Sequence, residues 1–285
     1  MKVAVRLEEL REYRRQLAPP LGLVPTMGYL HEGHLSLVRR AREECASVGV
    51  SIFVNPTQFA PTEDLDSYPR DLKKDLKLLQ EEGVDLVWTP TADEVYPQSA
   101  QTWVEVIELT KELEGAHRPG HFRGVTTVVA KLFNAFEPQT AYFGQKDAQQ
   151  AVVIQRMAKD LLFPLDVVVC PIVREPDGLA MSSRNTYLDS EQRLAATSLS
   201  RALHSAGSAY ANGDAEADSL RQVMLEVLDA EPLAEVQYVS VADPQTLLEL
   251  EGVVSGALFS MAVFVGKTRL IDNLVVGDKR LGINN

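Results

Sequence analysis

The sequence predicts an α/β fold, a doubly wound and mainly parallel sheet followed by a smaller C-terminal α+β domain. Two observations carry this. β-rich runs alternate with helix-period stretches up to about residue 175, and beyond "SSRN" the order changes to helices followed by clustered strands. With 285 residues there is room for two domains, and the change of pattern puts their boundary at "REPDG", giving 1–175 and 176–285.

The elements follow in order. "LEELREYRRQL" spaces Leu7, Leu10, Arg14 and Leu17 along one side of a short amphipathic helix, which Pro19 and Pro20 stop. "LGLV" is a short buried strand running into Pro25. Leu35, Val38, Ala41, Arg42 and Cys45 recur at helical spacing through "HLSLVRRAREECA", and "VGVSIFV" is a strand ending at Asn55-Pro56. "YPRDLKKDLKLLQEEG" is a helix with Leu72, Leu76 and Leu79 inward and Gly83 as its stop. "VDLVWTP" is a strand, and "TWVEVI" a weaker one. "GVTTVVAKLFNAF" is too long for a typical strand, so it is a buried helix despite its β-branched residues. "TAYFG" and "DVVVCPI" are strands flanking the helix "AQQAVVIQRMAKDL". In the smaller domain, helices over about 190–211 and 215–230 precede the strands "AEVQYVSVAD", "SGALFSMAVFV" and "TRLIDNLVV".

Composition narrows the function classes. Hydrophobic residues are 45% and charged residues 24%, an ordinary soluble balance, and no apolar run approaches the roughly 20 residues that a spanning helix needs. A net charge of −12 argues against general affinity for nucleic acid or anionic membrane. It leaves room for an anionic substrate, because a few basic side chains and helix N-termini make a small site locally positive. Cys45 and Cys170 fit neither a zinc pattern nor a disulfide framework, and the N-terminus has no signal-peptide pattern. Free thiols in a cytoplasmic protein are expected.

Five stretches have residue types suited to chemistry. In "PTMGYLHEGHLSLV" a strand, a glycine-containing turn and a helix start present His31 and His34 on one face, where imidazole N–H groups and backbone N–H groups suit a phosphate. The spacing is not the H-E-x-x-H of a zinc protease; the plain alternative is a pair of helix-capping histidines. "YFGQKDAQQ" again joins strand to helix, with Lys146 at the turn, Asp147 able to cap and Gln150 one turn in. In "GLAMSSRN", Ser182, Ser183 and Arg184 could clamp a polyphosphate or form an ordinary turn before a helix. "VNPTQF" offers Gln58 for paired hydrogen bonds, or a loop glutamine. "HRPGHFRG" is a basic flap or a solvated loop. "GKT" at 266–268 is not a Walker loop: Met261 stands where the pattern needs glycine, and a strand follows.

Together, "PTMGYLHEGH", "FVNPTQF", "YPR", "HFRGV", "FGQKD" and "REPDGLAMSSRN", in order over about residues 20–190, strongly resemble the pantoate–β-alanine ligases of the nucleotidyltransferase superfamily. The C-terminal hundred residues resemble them in layout more than in motif. The resemblance implies a Rossmann-like domain with an H-x-G-H motif that binds ATP and pantoate, a smaller lid domain, a cytoplasmic homodimer, and substrates ATP, pantoate and β-alanine. Mg²⁺ is expected through ATP, with no direct metal ligands assigned. Carried over by position, His31 and His34 contact the ATP phosphates, and with Lys146 and Arg184 they form the catalytic set. Met27, Gly28, Gly144, Asp147, Val173, Met181, Ser182 and Ser183 complete the ATP set. Met27, Gln58 and Gln150 hold pantoate, and Gln58 also β-alanine. Gln145 stands where the family varies and has no role. The alternatives are another nucleotidylyltransferase of the superfamily and a non-catalytic nucleotide-binding regulator.

Overall fold

The computed structural model describes residues 1–61, 63–277 and 281, so the last positions of the expected second domain, 278–280 and 282–285, lie outside the described residues. The chain forms two compact units. The first is Met1–Thr110, Arg118–Gly144 and Val153–Cys170; the second is Lys111–His117, Gln145–Val152 and Pro171–Asn285.

The elements run β1 (Lys2–Ala4), α1 (Leu7–Arg14), β2 (Leu21–Thr26), α2 (Glu32–Glu44), β3 (Ser47–Ile52), α3 (Leu72–Glu81), β4 (Leu86–Trp88), α4 (Ala92–Val95), α5 (Glu114–His117), α6 (His121–Phe136), β5 (Thr140–Gly144), α7 (Ala148–Asp160) and β6 (Asp166–Cys170). They continue with α8 (Ser190–Ala195), α9 (Thr197–Ala211), α10 (Ala217–Asp229), β7 (Ala234–Ala242), β8 (Gly256–Val265) and β9 (Thr268–Gly277).

In the first unit six parallel strands lie in the order β1-β4-β3-β2-β5-β6. The order reverses beside β2, whose neighbours are β3 on one side and β5 on the other, so the sheet is doubly wound with its switch point between β2 and β5. Side-chain alternation along β2 sends Leu21 and Leu23 into the core under α1, α6 and α7, and Val24 into the core under α2 and α3. The second unit is an antiparallel sheet, β7-β8-β9, whose apolar core is shared with α9 and α10.

Three expectations are corrected. The segment 101–107 forms no strand; a Thr127 hydroxyl accepts from Val104 N–H and a Thr126 hydroxyl donates to its carbonyl, so hydrogen bonds to α6 stand where a ladder would be. On α3, Leu72 is 46% exposed while Asp75 is 1% exposed, so the inward face runs through Asp75 and Leu79. The long helix expected over 190–211 is divided at Ala196 into α8 and α9. The N-terminal strand β1, too short to show a period, was not expected.

Candidate functional site

In the first unit the site is built on the switch point. β2 and β5 pair only at Gly22–Thr140 and Leu23–Ala141, although β2 continues to Thr26 and β5 to Gly144. The carboxyl ends therefore splay, and a Cβ added at Gly144 would meet nothing within 4 Å. Open α/β sheets bind ligands at such an edge.

The chain leaving β2 turns sharply through Met27-Gly28-Tyr29. Gly28 has φ +84° and Tyr29 φ +51°; the left-handed region suits glycine but strains tyrosine. The turn is held by Asp75 of α3, whose carboxylate accepts the Tyr29 and Leu30 N–H groups, each at 2.8 Å. Burial raises the Asp75 carboxyl above its ordinary value, while the bonds from Leu30 and Tyr29 pull it the other way.

His31 then caps α2. Its Nδ1 accepts Gly33 N–H at 3.2 Å, and the Nδ1 of His34 accepts His31 N–H at 3.4 Å. The ring centroids are 4.1 Å apart. Capping is thus real for His31, and it uses Nδ1. A neutral imidazole that accepts through Nδ1 has its proton on Nε2, so each ring is a fixed Nε2–H donor beside the positive end of a helix.

Gln58 lies in a 3₁₀ turn, Pro56–Gln58. Asn55, 1% exposed, donates to its Oε1 at 3.1 Å and to the Gly124 carbonyl at 3.2 Å. The Gln58 Nε2 lies 3.1 Å from the Met27 sulfur. Helix α6 presses on this turn so closely that a Cβ at Gly124 would sit 2.4 Å from the Thr57 oxygen, which explains the glycine. The "HRPGHFRG" stretch is exposed at His117, Pro119, Gly120 and Arg123 and buried at His121, Phe122 and Gly124. His121 opens α6, its Nδ1 2.8 Å from the Gln58 carbonyl, and Arg118 pairs with Glu63 at 2.7 Å.

In the second unit Gln145–Asp147 form a 3₁₀ turn ahead of α7. Asn273 of β9 donates to the Gln145 and Lys146 carbonyls at 2.9 and 3.0 Å and accepts from the Gln145 side chain at 3.2 Å. Gln149 accepts the Glu114 N–H at 2.9 Å and donates to the Glu112 carbonyl at 2.9 Å, which fixes the first turn of α7 and with it Gln150. Glu114 itself takes a paired contact from Arg269 at 2.7 and 2.8 Å and the Tyr238 hydroxyl at 2.9 Å. Burial, then the Glu114 charge, pushes that hydroxyl well up.

Val173 and Met181 meet in a small hairpin: Met181 N–H donates to the Val173 carbonyl at 3.0 Å around an Arg174–Ala180 bridge. The Ser182 hydroxyl caps the Ser183–Tyr187 3₁₀ turn by accepting Arg184 N–H at 3.3 Å, and Ser183 is buried. Among the described residues no three His, Cys, Asp or Glu side chains form a metal-holding group, and no helix is long and apolar enough to cross a membrane.

Comparison with known proteins decides the family. The profile of the family described as pantoate-beta-alanine ligase matches residues 2–275. The chain belongs to the pantoate–β-alanine ligase family. The pantothenate synthetase of Herpetosiphon aurantiacus is 58% identical, covering 97% of this chain and 100% of its own. That of Roseiflexus sp. is 59% identical, covering 97% and 99%. A crystal structure of pantothenate synthetase from Thermus thermophilus superposes with TM-score 0.92 at 48% identity, covering 96% of this chain and 99% of that one. A pantoate–β-alanine ligase from Francisella tularensis, complexed with β,γ-ATP and β-alanine, superposes with TM-score 0.78 at 33% identity, covering 96% and 97%.

Within this ligase chain the structure brings Met27 to Gln58, His31 to His34, Val173 to Met181, and Ser182 to Arg184. Four supporting residues escaped the sequence reading. Asp75 stood on the inward stripe of α3, where a carboxylate is out of pattern. Asn55 ended a strand before proline. Gln149 adjoined a candidate. Asn273, with Asp272, interrupted the apolar alternation of β9.

Proposed function

We infer that the chain condenses pantoate with β-alanine to give pantothenate, using ATP and releasing AMP and pyrophosphate. The observation that carries this reading is the family match over residues 2–275, supported by the 58% identity to a pantothenate synthetase along nearly the whole chain. The Francisella relative's complex with an ATP analogue and β-alanine supports both substrates.

In the proposed mechanism a pantoate carboxylate oxygen attacks the α-phosphorus of Mg-ATP, and the bond to pyrophosphate breaks. The β-alanine amine then attacks the carbonyl carbon of pantoyl adenylate, losing a proton as AMP leaves. No enzyme nucleophile is required, because ATP itself activates the carboxylate. Charge gathers on the phosphoryl oxygens and the departing pyrophosphate, and preoriented donors at such points are each worth about 10²–10³ in rate. The Nε2–H groups of His31 and His34 are such donors, with His34 the principal one. Lys146, Ser182, Ser183 and Arg184 serve the phosphates, and Gly144 and Asp147 the ribose. Met181 N–H is engaged with the Val173 carbonyl, so the complementary groups left for adenine are the Val173 N–H and the Met181 carbonyl. Gln58, beside Met27, and Gln150 hold pantoate, and Gln58 also meets β-alanine. Mg²⁺ enters with ATP. Residues 1–175 supply the pantoate groups and most of those for ATP, residues 176–285 add Met181, Ser182, Ser183 and Arg184 and act as a lid that keeps water from the adenylate, and the enzyme works as a cytoplasmic homodimer.

The test is exchange of labelled pyrophosphate into ATP. Exchange should require pantoate and Mg²⁺ and proceed without β-alanine. Exchange with ATP alone would indicate an adenylylated enzyme, and ADP as product would exclude attack at the α-phosphorus.

A further inference from the structure

In β9 the polar pair Asp272-Asn273, each 2% exposed, stands between the apolar residues Leu270-Ile271 and Leu274-Val275-Val276. A buried Asp-Asn pair is costly unless every polar atom is engaged. Both are. The two amide hydrogens of Asn273 go to successive carbonyls, those of Gln145 and Lys146, and its Oδ1 accepts the Gln145 amide. The strand beneath is fixed as firmly. Asp272 accepts Asn273 N–H at 2.8 Å and a paired contact from Arg174 at 2.6 and 2.9 Å.

A side-chain amide that grips the carbonyls of two successive peptide units fixes the orientation of both and of the Cα between them. The Cα of Lys146 lies between one gripped carbonyl and the other, so the direction in which its side chain leaves the backbone is set by Asn273. Packing does not hold the turn in the same way, because Gln145, Lys146 and Asp147 are all only partly buried. A lysine has four rotatable carbons, and its ammonium helps a transition state only if the stem starts from a defined point.

We propose that Asn273 is a positioning residue for adenylate formation, acting through Lys146. The proposal rests on the phosphate role proposed above for Lys146. It assigns to the last strand of the chain a part in the chemistry of a turn more than a hundred residues earlier, and it gives Gln145, which the motif leaves without a role, the job of orienting the Asn273 amide.

The test is a double-mutant cycle in pyrophosphate exchange with pantoate present, using the full chain as wild type, Lys146→Ala, Asn273→Ala and the double variant, each assayed well below its melting temperature. Lys146→Ala should lose about 10²–10³-fold in kcat. Asn273→Ala should lose about tenfold or more in kcat with a smaller change in the KM for ATP. The double variant should be no slower than Lys146→Ala alone, because nothing remains to position. A merely structural asparagine would lower the melting temperature and leave kcat unchanged, or would multiply the Lys146 loss; either result overturns the proposal. If Lys146→Ala exchanges at the wild-type rate, the phosphate role of Lys146 falls first and the proposal with it, a failure distinct from additivity. Should Asn273→Ala not fold, Asn273→Ser, which keeps one donor, is carried through the same cycle and should show an intermediate loss that again vanishes in the Lys146→Ala background.

Discussion

Replacing Asp75 by asparagine tests how the histidine turn is held. The carboxylate accepts two backbone N–H groups, from Tyr29 and Leu30, in a position that is 1% exposed. Asparagine has the same shape, but only its oxygen accepts; its NH₂ group would face the second N–H. Because burial already disfavours the charged carboxyl here, losing the charge is not the main penalty. The penalty is one buried donor left without a partner, about 1–3 kcal/mol. For a protein of this size each kcal/mol lowers the melting temperature by about 2–4 °C. The turn also contains Tyr29 at φ +51°, a conformation that costs on the order of 1 kcal/mol and persists only while its surroundings impose it. With the clamp weakened the turn should relax, moving the Nε2–H groups of His31 and His34, and a shift near 1 Å can cost about 10²-fold in rate.

The assay is pyrophosphate exchange at saturating ATP and pantoate, beside a thermal melt. Asp71→Asn is the control: Asp71 caps the same helix, accepting Lys74 N–H at 3.0 Å, and does not touch the turn. Exchanging a capping carboxylate for a capping amide should change stability by less than about 1 kcal/mol and leave kcat alone. Asp75→Asn should lower kcat by at least tenfold. Wild-type kcat in a destabilised Asp75→Asn variant would refute the reasoning, since stability would then have been lost without any displacement of the histidines.

Two further outcomes are expected. Gln58→Ala should raise the KM for pantoate about tenfold or more while leaving that for ATP within about twofold, since a hydroxy acid would lose its paired amide partner; equal effects on both substrates would remove Gln58 from the pantoate position. Glu63 is pushed up by burial, but the hydrogen bonds and charge of Arg118 outweigh this and hold it below its ordinary 4.5. A depressed carboxyl stabilises the fold above the unfolded value and loses that contribution as pH falls through the folded one. Melts across pH should therefore show wild type above Glu63→Gln at neutral pH and the two converging as the pH falls below the ordinary 4.5 and through the lowered folded value; a constant gap would refute the pairing.

The parallel sheet was legible because its strands read as short β-rich runs between helix-period stretches; strands 21–26, 47–52 and 140–144 are buried on both faces over most of their length, as covered parallel strands are, while 166–170 at the edge of the sheet is only partly buried. The candidate turns stood out because they join strands to helices with glycine, histidine or lysine at the joint, although capping alone would also account for His31. What stayed hidden is the support. Leu72 looked inward and Asp75 did not, because hydropathy ranks a carboxylate as surface; only the strained turn beyond it, with two N–H groups to satisfy, makes a buried acid favourable. Segment 101–107 alternates like a strand, yet no neighbouring strand offers it an edge, and the side chains of Thr126 and Thr127 take its hydrogen bonds instead. His121 illustrates the same limit: its motif read equally as a flap or a solvated loop, because the contact to the Gln58 carbonyl spans 63 positions and has no local signature.

The supports share one design. Asp75 holds the 28–31 turn, Asn55 holds Gln58, Asn273 holds Lys146, and the Arg174–Asp272 pair underlies the 173–181 hairpin, where Arg174 also donates to the Gly178 carbonyl at 3.0 Å. Asp75, Asn55, Asn273 and Asp272 are buried polar side chains, and each reaches a backbone segment, a candidate side chain or the partly buried Arg174. A well-packed apolar pair in place of Arg174 and Asp272 would avoid desolvating two charges and would often be neutral or stabilising. It could not, however, define the direction of a carbonyl or an N–H. Apolar contacts are non-directional, whereas hydrogen bonds to two successive peptide groups fix how both are turned. Under the proposed mechanism, in which several donors aim at one phosphorus, fixed peptide planes are what the reaction needs, and these supports supply them.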